Sequence, residues 1–283
     1  MKSRREQHFR ESGFLVGATN DGPLLAWSGE AMDTKFFLLH FLVEFLGSAL
    51  LLFMNCQVTS SPNGTADSVG FWQFTVFGGV RWLRPSATLN PFETFFADIF
   101  IFRLYESWTG LFKVLGTIGF QIAGGVFGTW LSYFFQGSNS AAFAVNLTTP
   151  IGAVPITTYQ MMLGDAMGCF GMGVVAFSYI YQTVQDYRTK TQKAPMSSSV
   201  EEASVTPGEL QALPKIESVA VASVLFLAIV AFYYTTHGSF VLTRALGPAM
   251  ILNDYTNIGY YILGQVVGML LAVCVVLFVL FDH

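Results

Sequence analysis

Two carboxylates stand inside long apolar runs of this sequence: Glu44 in Val43-Glu44-Phe45-Leu46-Gly47, and Asp165 in Leu163-Gly164-Asp165-Ala166. A carboxylate among apolar side chains is costly and meets either a partner or a water-filled cavity. Two chemistries fit. Such acids pass protons in transporters, or they accept hydrogen bonds from backbone N–H groups that would otherwise be stranded. The second reading gives Glu44 and Asp165 a supporting role for non-helical backbone. Other reactive groups are sparse. There is no Ser/His/Asp set, no metal-ligand spacing and no phosphate loop, and His40 and His237 are far apart in sequence. Cys56, Cys169 and Cys274 lie in or at the ends of apolar segments, which predicts thiols packing as small hydrophobes. No enzymatic activity, metal or cofactor is expected.

The elements that must carry these acids follow from composition. Of the 283 residues, 53% are hydrophobic and 11% charged, against about a quarter charged in soluble domains. Lipid around the apolar faces accounts for that balance. With a net charge of −4 and no basic stripe, nothing points to a nucleic-acid partner. Residues 1–35 hold Lys2, Arg4, Arg5 and Arg10 but no apolar core before a cleavage site, so they read as a cytoplasmic N-terminal segment and not a secretory signal. Six segments approach or exceed the ~20 residues a helix needs to span the hydrocarbon core: 36–56, 68–83, 111–135, 157–181, 216–236 and 258–281. The second is short and contains Gln73 and Gly78-Gly79, so a five-span chain with a re-entrant second segment is the alternative. Two apolar stretches, 92–102 and 242–252, are too short to cross and occupy corresponding positions, which predicts re-entrant half-helices.

Basic residues orient the bundle. With six spans and both termini in the cytoplasm, thirteen of the 14 Lys and Arg fall on the inner side. They are Lys2, Arg4, Arg5, Arg10 and Lys35; Arg81, Arg84, Arg103 and Lys113; and Arg188, Lys190, Lys193 and Lys215. The exception is Arg244, within the second half-length stretch. The outer loops, 57–67 and 136–157, hold no Lys or Arg and carry the sequons Asn63-Gly64-Thr65 and Asn146-Leu147-Thr148. The stretch 194–214, rich in Ser, Pro and Glu, predicts a flexible cytoplasmic linker over about 186–215.

Spans one and four open two three-span halves, and each carries one acid at a matching place. That implies an internal repeat, about 36–135 and 157–281, with the halves inverted because each has an odd number of spans. Glycines in span three (Gly116, Gly119, Gly124, Gly125, Gly128), span four (Gly164, Gly168, Gly171, Gly173) and span six (Gly264, Gly268) predict close helix packing.

The first half-length stretch opens Pro85-Ser86-Ala87-Thr88-Leu89-Asn90-Pro91-Phe92-Glu93-Thr94, and the second reads Gly238-Ser239-Phe240-Val241-Leu242-Thr243-Arg244-Ala245-Leu246-Gly247-Pro248-Ala249. These resemble the two re-entrant loops of the aquaporins (major intrinsic proteins), S-G-x-x-L-N-P-A-V-T and G-x-x-N-P-A-R-S-F-G-P-A. Asn90-Pro91 stands where the family has Asn-Pro-Ala, with Phe92 for Ala. In the second loop Val241-Leu242-Thr243 replaces the triplet, while Arg244 and Gly247-Pro248-Ala249 match. Glu44 in Glu-Phe-Leu-Gly is similar to the family's first-helix acid, and Asp165 replaces the fourth-helix Glu. Gln121-Ile122-Ala123-Gly124-Gly125 and Tyr260–Gly268 resemble the third- and sixth-helix patterns. The resemblance covers about 36–281. It implies an all-α membrane protein of six transmembrane helices plus two half-helices meeting at mid-membrane, an aquaporin-like channel domain assembled as a homotetramer with one pore per subunit.

The resemblance further implies a narrow pore for water or small neutral solutes. Its centre would be Asn90, Pro91, Phe92, Val241, Leu242 and Thr243. Its outer constriction would be Arg244, Ile229, Gly238 and Gly70 or the neighbouring Phe71. Glu44 and Asp165 would support the half-helices. Ile229 and Gly70 stand where water-selective members have larger polar or aromatic groups, which suggests a wider gate admitting glycerol. Ala245 stands where glycerol-type members have Asp, so the two clues conflict. Val241 cannot donate a hydrogen bond, and losing one donor costs a passing molecule roughly 1–2 kcal/mol. The Phe92 ring either blocks the centre or packs between the half-helices. A facilitative channel is therefore one reading, and a non-conducting structural or scaffolding protein is the other.

Overall fold

Backbone polar groups have no water to bond to in an apolar surrounding, so the chain satisfies them internally as helix. The computed structural model describes residues 34–59, 65–84, 87–101, 108–136, 157–193, 207–236 and 238–280, and every statement below concerns those. They are almost wholly helical, with no strand among them. The long helices are α1 (Thr34–Thr59), α2 (Ala66–Leu83), α4 (Trp108–Gln136), α5 (Thr158–Lys193), α6 (Pro207–Thr236) and α8 (Ile258–Val275). Two short helices, α3 (Pro91–Phe96) and α7 (Leu242–Leu252), stand between them. Five residues of π-helix continue α3 through Ala97–Ile101 and α8 through Val276–Leu280.

The starts have local causes. Thr65 caps α2 in a capping box: its hydroxyl accepts the Ser68 N–H at 3.3 Å, and the Ser68 hydroxyl oxygen accepts the Thr65 N–H at 2.8 Å. Thr157 and Gln160 make the same exchange at the start of α5. Asn253, left-handed at φ 52°, ends α7.

Four stretches are long and apolar enough to cross a membrane: Phe37–Thr59, Gly110–Gln136, Thr158–Gln182 and Ile258–Val279. The expected second and fifth spans are also continuous helices. However, α2 has 18 residues and buries Gln73 and Arg81, and the apolar part of α6, Glu217–Tyr233, is shorter still.

The helix contacts fall into matching pairs. Helix α1 packs along α4 as α5 packs along α8; α1 meets α2 as α5 meets α6; α4 touches α7 as α8 touches α3; and α2 packs on α6. Glycine sets the closest approaches. A Cβ on Gly124 would lie 2.2 Å from the Phe45 carbonyl oxygen, and one on Gly128 would lie 2.0 Å from that of Ala49. In the other pair, a Cβ on Gly268 would lie 2.3 Å from the Ala166 carbonyl oxygen, and one on Gly264 would lie 2.5 Å from that of Met162. No side chain fits there, so the backbones themselves touch.

Some boundaries differ from expectation. The linker expected over 186–215 is narrower, because α5 runs on to Lys193 and α6 begins at Pro207. The half-helix expected over 92–102 is α-helical only to Phe96 and then widens into the π-turn, whereas 242–252 is helical over its whole length. The N-terminal segment to residue 33, both sequon asparagines, Pro85, Ser86, Arg103 and His237 lie outside the described residues.

Candidate functional site

The two short helices begin at Asn90 and Val241, and each start is held by a matching set of side chains. Glu44, fully buried on α1, accepts the Thr88 N–H at 2.8 Å and the Leu89 N–H at 3.0 Å. Gln121 of α4 donates to the same carboxylate at 2.9 Å and to the hydroxyls of Thr88 and Thr94 at 2.8 and 2.9 Å. These bonds hold Leu89 in the left-handed region at φ 55°, which is unfavourable for a residue with a branched side chain. Gly47 then makes room for it: a Cβ there would fall 2.5 Å from the Leu89 methyl. One glutamate and the glycine three residues on thus fix the residue that precedes Asn90.

The second loop repeats the arrangement with different atoms. Asp165, buried on α5, accepts the Ser239 hydroxyl at 2.8 Å and the Gln265 amide of α8 at 3.2 Å. Gln265 also donates to the Ser239 carbonyl. Gly168, three residues after Asp165, leaves space for the Phe240 ring, 2.3 Å from a built Cβ. Phe240 precedes Val241 as Leu89 precedes Asn90. Aspartate is one methylene shorter than glutamate, and the serine hydroxyl fills the gap where Glu44 reaches backbone.

The helix starts differ in their caps. Asn90 accepts the Phe92 N–H at 3.2 Å, and Pro91 occupies the first helical position, where its missing N–H costs nothing. The Asn90 amide nitrogen donates across to the Phe240 carbonyl at 3.5 Å, joining the two loops. Val241 has the same extended backbone but offers no side-chain oxygen to α7. Phe92 is half-buried and packs against the main hydrophobic core, and Thr243 packs onto Gly125 of α4. Leu242 is buried as well.

Of the expected constriction, Gly238 and Ile229 come together. Gly238, at φ 74°, would place a Cβ 3.6 Å from the Ile229 side chain, and Gln73 donates to its carbonyl at 3.3 Å. The remaining candidates have these surroundings. Gly70 packs against the Phe226 ring of α6, and Phe71 lies on the exposed stripe of α2, 6.0 Å from Trp72. Arg244 is buried, within Coulombic reach of Cys56 on α1 and Tyr261 on α8. Asn90, Val241 and Ile229 are each fully buried.

A second buried polar layer was not foreseen. Arg81 of α2 bonds Glu93 of α3 and, at 2.5 Å, Glu217 of α6, while its guanidinium carbon lies 5.3 Å from the centre of the Phe77 ring. Asp98 and Lys113, both buried, lie within Coulombic reach of one another, and His40 pairs with the Thr117 hydroxyl at 3.1 Å. The hint in the sequence was Glu93, a charge in the first turn of an apolar half-helix. Among the described residues, no His, Cys, Asp and Glu gather as a metal site would require. Compared with known proteins, the chain matches no family model and no curated protein.

Proposed function

We propose that the chain is an aquaporin-like membrane channel that passes water or small neutral solutes such as glycerol. The observation that carries this reading is the duplicated cradle. Glu44–Gly47–Gln121 and Asp165–Gly168–Gln265 hold two short helices whose leading loops are linked by the Asn90 amide, which donates to the Phe240 carbonyl. The matching helix contacts support an inverted repeat, and with it six crossings and two half-helices. The basic residues support cytoplasmic termini. Both acids are engaged in several hydrogen bonds, which favours support over proton relay. A homotetramer belongs to this reading too.

A second reading, a non-conducting scaffold, is favoured by the complete burial of Asn90, Val241 and Ile229. Stopped-flow light scattering of proteoliposomes separates the two. The channel reading expects water or glycerol flux above that of empty vesicles. Rates no higher than those of empty vesicles, for water and for glycerol alike, would sink it and leave the scaffold.

A further inference from the structure

Arg81, near the end of α2, holds two carboxylates at once. Its Nη1 donates to Glu93 of α3, and its Nη2 donates to Glu217 of α6 at 2.5 Å. The close approach of α2 and α6 brings this about. A Cβ on Gly78 would lie 3.0 Å from the Ala222 methyl and 3.8 Å from the Ser218 carbonyl oxygen, so one turn further on Arg81 meets Glu217. All three side chains are buried: Arg81 and Glu93 are 1% exposed and Glu217 is 6% exposed. Two nitrogens of a single guanidinium grip the two acids, which keeps the acids within a few ångströms of one another.

The charges of this set do not balance. Two carboxylates and one guanidinium leave one surplus negative charge out of water. Burial disfavours such a charge, and two carboxylates that share a site relieve it by keeping one proton between them. The cation that acts on both Glu93 and Glu217 is Arg81. The other charged and titratable groups at this end do not remove the surplus. Glu44 of α1, within Coulombic reach of Arg81, adds negative charge. Lys113 of α4 faces Asp98, at the end of the short α3 segment, and Glu44. Arg84, half-buried just past α2, lies within Coulombic reach of His40 on α1, whose ring pairs with the Thr117 hydroxyl.

We propose that Arg81, Glu93 and Glu217 form a proton-binding site, with the Glu217 carboxyl as the group that takes up and gives back one proton. The proton comes from the aqueous phase, forms an O–H bond on Glu217 and leaves Arg81 paired one-to-one with Glu93. Glu217 is the least buried of the three. It is also the first residue of the apolar stretch Glu217–Tyr233, and the helix continues ahead of it to Pro207. Glu93 instead sits in the first turn of α3, three residues from Asn90. The pH at this end of the bundle thereby sets the charge of the group that ties α6 to α2 and α3. The site rests on the proposed topology only for the side that supplies the proton, which is the cytoplasm.

The test uses the whole purified chain in detergent, with thermal unfolding followed from mildly alkaline to mildly acid buffer. The folded chain holds a proton that carboxylates of the unfolded chain, in water, have released at neutral pH. The site should therefore raise the wild-type Tm on acidification by about 2–4 °C per pH unit, the size of one linked proton. Groups elsewhere contribute alike to wild type and variants, so the difference in slope reads the site. Glu217→Gln and Glu93→Gln should each lose that part of the slope, because Arg81 balances the acid that remains. Arg81→Lys keeps the charge count and should retain it. A slope that survives either Gln substitution overturns the site, and should Glu217→Gln not fold, Glu93→Gln decides on the same terms. Infrared difference spectra identify the carrier. The C=O band of a protonated carboxyl that appears on acidification should move in Glu217→Asp and stay in place in Glu93→Asp, and the reverse result would overturn the assignment to Glu217. Because no flux is read, failure here leaves the liposome result standing, and absent flux leaves the proton site standing.

Discussion

The Gln121 amide donates to the Glu44 carboxylate at 2.9 Å, and the Gln265 amide meets Asp165 in the same way at 3.2 Å. One pair joins α1 to α4 and the other joins α5 to α8, helices that pack along one another, and each sits behind the start of a short helix. The acids serve as fixed acceptors on rigid elements. Their value lies in the donors they satisfy, since an unpaired buried N–H costs about 1–3 kcal/mol.

Removing the acceptor should therefore unfold the first loop. Glu44→Ala strands the Thr88 and Leu89 N–H groups and takes one of three acceptors from the Gln121 amide. The expected loss is about 3 kcal/mol or more, since at least two buried donors are left bare. Glu44→Gln keeps an acceptor oxygen and should lose less. Thermal unfolding in detergent measures both, and equal Tm values for the two variants would argue against the acceptor role.

Supplying the missing cap should stabilise the second loop. Val241 already has the extended backbone of an N-cap, φ −114° and ψ 125°, close to that of Asn90. Val241→Asn adds an oxygen for the first turn of α7 and is expected to add about 1 kcal/mol. It also restores a second donor beside Asn90, so the same variant should raise water flux in liposomes if the route conducts. A stability gain without a flux gain would separate the cap from the pore.

The periodic features were legible in the sequence and the contacts between distant segments less so. All six long apolar segments are helices, because each has the length and composition to satisfy its own backbone. The acids were legible because Glu44 and Asp165 break apolar runs. Their partners Gln121 and Gln265 sat in quoted motifs without a role, since a single amide in a span has no periodic signature. The triad of Arg81, Glu93 and Glu217 was hidden for a different reason. Arg81 counted as an inner-side charge, and nothing in one dimension says that two acids, 12 and 136 positions away, fold onto it. The outer constriction was carried over by counting along the chain, and counting does not give the neighbour of Gly70, which is the Phe226 ring.

Glycine substitutions should divide sharply by what a methyl would meet. Gly124→Ala and Gly268→Ala each push a Cβ against a backbone carbonyl, 2.2 and 2.3 Å away, where nothing can yield without separating helices. Each is expected to cost about 1–3 kcal/mol, as overpacking does. Gly119→Ala meets nothing within 4 Å and should stabilise α4 by about 0.5–1 kcal/mol through helix propensity alone. Unfolding midpoints of the three variants check the ordering.

Arg81 carries two buried carboxylates, so the order of removal decides the outcome. Arg81→Met leaves Glu93 and Glu217 buried without a cation and should cost about 3–5 kcal/mol. Glu217→Gln keeps the shape and leaves the Arg81–Glu93 pair intact, so its cost should be smaller. The triple variant Arg81→Met, Glu93→Gln, Glu217→Gln removes every charge of the set and should recover most of what Arg81→Met loses, because the penalty lies in the uncompensated charge and not in the lost bonds. Added salt should leave the wild-type Tm nearly unchanged, since buried pairs are poorly screened. A triple variant no more stable than Arg81→Met would mean that Arg81 acts by filling space against Phe77, and that its stem and not its charge ties α2, α3 and α6 together.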